Sequence, residues 1–138
     1  MISEKSVTDK YLGIPYQHKG RTLAGLDCYG LIIAIYKDMG FELFDMDNYD
    51  KNWSFKGRNH LLENYHKQWV KLEKPLMMFD GLMLKGVKGS VNHGGLILSE
   101  NRFIHCCKQG VIISDYSEKK WADKIDGFYH LKARNDNG

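Results

Sequence analysis

No apolar run in this chain approaches the length that spans a membrane, and no basic-then-apolar secretion signal opens it. The expectation is synthesis and folding in a cytoplasm, with any role elsewhere needing another route of delivery. Cysteine is scarce and odd in number: of three residues, Cys28 stands alone while Cys106 and Cys107 are adjacent. That excludes a disulfide framework and fits a reducing compartment. No Cys-x-x-Cys spacing occurs, and neighbouring residues on a strand point to opposite faces, so His93, His105, Cys106 and Cys107 do not read as a metal site. Asp45, Asp47 and Asp50 alternate as in a calcium loop, but the glycine and closing glutamate of that motif are missing. No metal is expected. The net charge of +3 is too small to indicate nucleic acid as a partner. Internal repeats and low-complexity tracts are absent.

The 138 residues suffice for one domain with a real core. Residues 3–12 read as a short helix capped by Ser3, with Val7 and Tyr11 on one face and Gly13 at its end. Ile14-Pro15-Tyr16 reads as extended, because the residue before proline avoids the helical region. Residues 17–26 read as a loop. A buried helix follows over residues 28–39, with Leu31, Ile32, Ile35 and Met39 on one stripe and Gly40 as its stop. Residues 45–60 read as a polar and aromatic loop and 59–67 as a second helix. From Trp69 the pattern becomes that of strands: 68–72, an apolar run over 76–85 broken by Asp80-Gly81, then 92–99, 102–107, 111–114 and 127–132. Glu100-Asn101 and Lys108-Gln109-Gly110 read as hairpin turns, and the tail from Arg134 as frayed. The fold class is α+β, with N-terminal helices packed on a mostly antiparallel sheet.

Cys28 heads the stripe of the apolar helix. Asp27 before it is a plausible N-cap, and the helix dipole with its free N–H groups favours a thiolate at this position. A small buried core residue is the other reading. A cysteine nucleophile needs a base, and the base needs an orienting group. Of six histidines, His18, His60 and His66 lie in polar surroundings, and His130 has a structural place in the last strand. His93 and His105 lie on consecutive strands facing the helix, so a Cys28–His93–His105 relay is available. One condition attaches. With a strict two-residue turn at Glu100-Asn101 the two histidines point to opposite faces. The relay requires a bulge beside His93 or a looser turn.

Asp27-Cys28-Tyr29-Gly30-Leu31 before an apolar helix, His93-Gly94-Gly95-Leu96-Ile97-Leu98, and His105 after a hairpin resemble the NlpC-type cell-wall peptidases, which are compact papain-like cysteine peptidases. Leu12-Gly13-Ile14-Pro15-Tyr16 and Asp80-Gly81 agree in order, and the likeness covers residues 10–132 of a single domain over 1–138. The resemblance implies Cys28 as nucleophile, His93 as base and His105 as orienter, with Tyr16 and Asp27 lining the substrate site. It implies cleavage of amide bonds in peptidoglycan stem peptides, with no metal or organic cofactor and no membrane partner.

One residue departs from the pattern. Many bacterial members carry serine after the nucleophile, where this chain has Tyr29. That points to a different substrate choice at Tyr29 and resembles bacteriophage tail-associated members, whose partners are other tail proteins and which act locally on the wall after synthesis in the bacterial cytoplasm. A docking module without turnover and a thiol acyltransferase are the alternatives on the same fold.

Overall fold

The computed structural model describes residues 2–43, 68–86 and 91–134. The loop expected over 45–60, the helix expected over 59–67 and the tail after Arg134 lie outside the described residues. Within them the order is α1 (Glu4–Tyr11), β1 (Arg21–Thr22), β2 (Gly25–Leu26), α2 (Cys28–Asp38), β3 (Trp69–Leu72), β4 (Gly81–Lys85), β5 (Val91–Ile97), β6 (Arg102–Cys107), β7 (Gly110–Asp115), α3 (Lys119–Ala122) and β8 (Ile125–Leu131). Strands β3 to β8 form one antiparallel sheet in the order β3-β8-β4-β5-β6-β7. Helices first and an antiparallel sheet after them is the α+β arrangement the patterning predicts.

Both long helices start where their caps require. Ser3 Oγ accepts from Ser6 N–H while Ser6 Oγ accepts from Ser3 N–H, a reciprocal capping box. Asp27 caps α2, its Oδ1 accepting from Gly30 N–H at 2.7 Å. Gly40, at φ +95°, takes the left-handed position after α2. Leu31, Ile32, Ile35 and Tyr36 are fully buried, whereas Met39 sits half-buried at the edge of the stripe.

The sheet separates two apolar layers. Met83, Val91, Leu96, Ile104 and Cys106 face α1 and α2 in the main core. Leu82, Leu84, Ile97, Phe103 and Phe128 face the other way, and Trp121 packs against them. Three local differences from the sequence pattern have simple causes. Residues 17–26, expected as a loop, hold the small β1–β2 ribbon, paired Arg21 to Leu26 and Thr22 to Gly25. Residues 76–80 turn instead of extending, because Asp80 Oδ2 accepts from the N–H groups of both Leu76 and Met77. Helix α3 is a single turn, too short to leave a periodic signature.

The β5–β6 hairpin carries the decisive register. Gly95 pairs with His105 and Ile97 with Phe103, and Leu98 N–H donates to Arg102 O, so residues 99–101 form the loop. Glu100 and Asn101 both adopt positive φ, near +60°. The extra loop residue puts His93 and His105 on the same face. A bulge also lies beside His93: Leu84 pairs with His93 but Lys85 with Val91, leaving Asn92 extra. The bulge turns Val91 to the helix side while His93 stays on the other. Glu4 of α1 holds the loop from outside, accepting from Ser99 N–H, Ser99 Oγ and the Arg102 guanidinium.

Gly95 leaves no space for a side chain opposite His105. A Cβ there would stand 2.5 Å from Ile104 O and 2.8 Å from His105 Cβ. Gly95→Ala is expected to destabilise by about 1–3 kcal/mol, the usual cost of forcing atoms into a packed site. Urea unfolding measures it, and an unchanged midpoint would show that β5 and β6 tolerate separation there.

Candidate active site

The first turn of α2 is held tightly against the chain before it. Asp27 is 4% exposed, and its oxygens are occupied: Oδ1 by Gly30 N–H and the Arg21 guanidinium at 2.9 Å, Oδ2 by Lys19 N–H at 3.1 Å. Gly30 packs so closely that a Cβ would meet Gly20 O at 2.2 Å. Tyr29 is 2% exposed, with the Arg21 guanidinium 5.9 Å from its ring centroid. Asp27 and Tyr29 are thus both buried against the chain before α2. Tyr16, by contrast, is 40% exposed and bridges to Leu26 through its backbone, and its phenol is pushed up by partial burial first and by the nearby Asp27 and Cys28 second.

Cys28 is half-buried and packs at the edge of the main core. The β5–β6 pairing runs only from Gly95–His105 to Ile97–Phe103. At the end of that ladder Gly94 turns its backbone N–H toward the Cys28 sulfur. Cys106, on the helix side of β6, donates its thiol to Leu26 O at 3.0 Å, tying the sheet to the segment that enters α2. The residue next to His93 is thus in contact with the thiol.

The expected ease of forming a thiolate at Cys28 is corrected. Burial pushes the thiol up to about 12, and the neighbouring Asp27 carboxylate adds to the rise. The Gly94 N–H and the Arg21 charge act in the other direction and are outweighed. Loss of water around the sulfur costs more than the helix terminus returns.

On the sheet face away from α2, His93 Nε2 and His105 Nδ1 lie 2.7 Å apart. The His105 ring continues to Ser114 Oγ through Nε2 at 2.9 Å. Aromatic rings enclose the pair: Phe103 stacks on His105 at 4.3 Å, and the Trp121 indole meets His105 edge-on at 5.0 Å and lies 6.5 Å from His93. Burial lowers His93 to about 4, with Lys124 contributing, and lowers His105 to about 3, with the charges of His93 and Lys120 contributing. Both rings are neutral at pH 7. The unfolded chain takes up these protons below about pH 6.5, so the stability this burial represents is complete above that pH and is lost as the pH falls toward 4.

A cavity of about 740 Å³ opens beside His93, lined also by Asn92, Cys107, Trp121 and the lysines Lys85, Lys108 and Lys124. Cys107 lines this cavity while Cys106 is in the core, the one-in, one-out placement expected of strand neighbours. His130 has the structural place expected of it, with Nδ1 2.8 Å from Asp80 Oδ1 and Nε2 3.0 Å from Arg134 O. Among the described residues no group of three or more His, Cys, Asp or Glu is placed to hold a metal ion.

Sequence reasoning named Cys28, His93 and His105 as candidates and did not name Gly94 N–H, Ser114 or Trp121, which the structure places against them. Ser114 lies diagonally from His105, whose direct partner is Ile112, so only the register of β6 on β7 reveals it. Trp121 sits on α3, which has no sequence signature of its own.

Comparison with known proteins bears on this arrangement. The sequence returns no significant match among curated proteins. Among solved structures, a lipoprotein-like NLP/P60 family protein from Staphylococcus aureus superposes with a TM-score of 0.69 at 20% identity, covering 94% of this chain and 42% of that one. A NlpC/P60 family protein from Bacillus cereus gives 0.64 at 23% identity over 86% of this chain and 35% of that one. This chain therefore spans well under half the length of either. The NlpC/p60 domain of the peptidoglycan hydrolase SagA gives 0.57 at 18% identity, with 91% of this chain and 94% of that domain covered. These likenesses show the fold, which is the papain-like one expected. The NlpC/P60 family model matches residues 13–130, nearly the whole length, and the chain belongs to that family.

Proposed function

We propose that the protein is a cysteine peptidase or amidase that hydrolyses amide bonds in peptidoglycan stem peptides. The observation that carries this reading is the contact set around one strand. His93 uses Nε2 on His105, leaving Nδ1 without a hydrogen bond to a described residue, and the neighbouring Gly94 touches the Cys28 sulfur. The family is commonly one of cell-wall peptidases, and SagA is a peptidoglycan hydrolase of the same fold.

In this mechanism thiol and imidazole begin neutral. Cys28 Sγ attacks the substrate carbonyl carbon while its proton passes to His93 Nδ1. His105 holds His93 and accepts from Nε2–H. The Cys28 N–H, at the first position of α2 where a helix offers no internal acceptor, faces the developing oxyanion. The proton on His93 then goes to the leaving amine as the C–N bond breaks. Water, deprotonated by the same nitrogen, cleaves the thioester and restores the thiol. Tyr16 lines the approach to the sulfur. Asp27 and Tyr29 shape it from behind, by fixing the α2 terminus and by bulk. Tyr29 after the nucleophile is the feature that supports a tail-associated role for a single domain over 1–138, a role that predicts the chain among the proteins of purified bacteriophage particles.

The purified protein should release new amino groups from peptidoglycan, and Cys28→Ala should lower that release by about 10⁴-fold or more. Activity that survives the substitution would remove Cys28 from the mechanism. Among enzymes of this type, His93 must be neutral to accept the thiol proton. With His93 near 4, the acid limb of kcat/KM should fall at about pH 4 to 5, followed with circular dichroism as a check on folding. With the thiol near 12, no rise from thiolate formation should occur between pH 7 and 9. An acid limb near pH 6.5 would show a base more exposed to water than His93.

A further inference from the structure

Building on the peptidase reading, we infer that Ser114 is a positioning residue that supplies the acceptor needed for the competent direction of the hydrogen-bond chain running from His93 through His105. Heavy-atom geometry alone permits two opposite chains. In one, Ser114 Oγ–H donates to His105 Nε2, His105 Nδ1–H donates to His93 Nε2, and the proton of neutral His93 is left on Nδ1. That ring has no lone pair on the nitrogen that must accept from the thiol. In the other, His93 Nε2–H donates to His105 Nδ1, His105 Nε2–H donates to Ser114 Oγ, and His93 Nδ1 is an open acceptor. Only the second chain is competent, and it needs an acceptor at the far end of His105.

The structure supplies that acceptor at one place. Ser114 Oγ stands 2.9 Å from His105 Nε2, and His105 Nδ1 stands 2.7 Å from His93 Nε2. Phe103 and Trp121 cover the His105 ring on its other sides, and neither side chain offers an acceptor. His105 is fully buried, so water is excluded from replacing the hydroxyl at low cost. The serine is held in register by the β6–β7 ladder, where Ser114 pairs with Phe103 and Ile112 with His105. A carboxylate-free relay of two neutral rings has no charge to favour a direction, and the competent one exists only with an acceptor such as this hydroxyl at its end.

The test is long-range ¹H–¹⁵N NMR of the ¹⁵N-histidine-labelled full chain at pH 7, read together with kinetics on peptidoglycan. The expected wild-type spectrum shows both His93 and His105 as Nε2–H tautomers. Ser114→Ala should mix the tautomers of His105 and lower kcat by about 3- to 10-fold with KM nearly unchanged, the scale of one hydrogen bond. Ser114→Thr, which keeps the hydroxyl on a β-strand, should return kcat to within about twofold and restore the spectrum. Nδ1–H tautomers in the wild type would overturn the inference, as would Ser114→Ala that leaves tautomers and kcat unchanged, or a threonine variant no better than alanine. A wild type without turnover would overturn the peptidase reading instead, and the tautomers would still decide the role of Ser114.

Discussion

Two imidazoles on adjacent antiparallel strands meet only when both leave the sheet on the same face, and the length of one loop decides that. The β5–β6 loop holds residues 99–101, so Gly95 rather than Leu96 stands opposite His105, and His93 shares its face. A loop one residue shorter would send one ring into the helix layer. Much of the nearby structure serves this register. Glu4 grips the loop through Ser99 and Arg102, Gly95 lets the strands close over His105, and the Asn92 bulge separates the face of His93 from that of Val91. The capping box that starts α1 thereby contributes to a site on the far side of the sheet.

The second organising fact is desolvation. Cys28, His93 and His105 are all shifted toward their neutral forms, and in each case burial is the largest cause. All three side chains rest uncharged at neutral pH, the two rings paired with each other and the thiol meeting the strand at Gly94. In the mechanism proposed above, a cation on His93 would be stabilised by a neutral ring at His105, which gives less than a carboxylate would. A relay of this kind depends on hydrogen-bond direction more than on charge, and the aromatic cover from Phe103 and Trp121 keeps water from supplying alternative partners.

Much of this was legible in the sequence, for physical reasons. Helix α2 has an acidic cap, an apolar run and a glycine stop, three signals that agree, and its bounds match the expected ones closely. The strands carrying His93 and His105 alternate cleanly, and the condition that the pair needs a looser turn or a bulge could be stated from parity alone. The looser turn is present and sets the parity by itself, while the bulge beside His93 lies in the β4–β5 pairing. What escaped was whatever depends on three dimensions. The thiol position suggested a helix-terminus effect, but the cost of burying sulfur is invisible in a linear pattern. The histidines were expected to face α2 across the sheet, yet they lie on its other side, with the thiol meeting the strand at Gly94 where the ladder ends. Ser114 and Trp121 bear no local mark and acquire meaning only through register and packing.

The most direct test of Cys28 as the attacking atom is chemical. Stem peptides are mixed with the protein, the reaction is quenched in acid during turnover, and the digested chain is weighed by mass spectrometry. The expected result is an acyl group in thioester linkage on the peptide containing Cys28, removed by neutral hydroxylamine and absent from the peptide containing Cys106 and Cys107. Turnover that proceeds with Cys28 already alkylated, or an acyl group found on Cys107 instead, would contradict it.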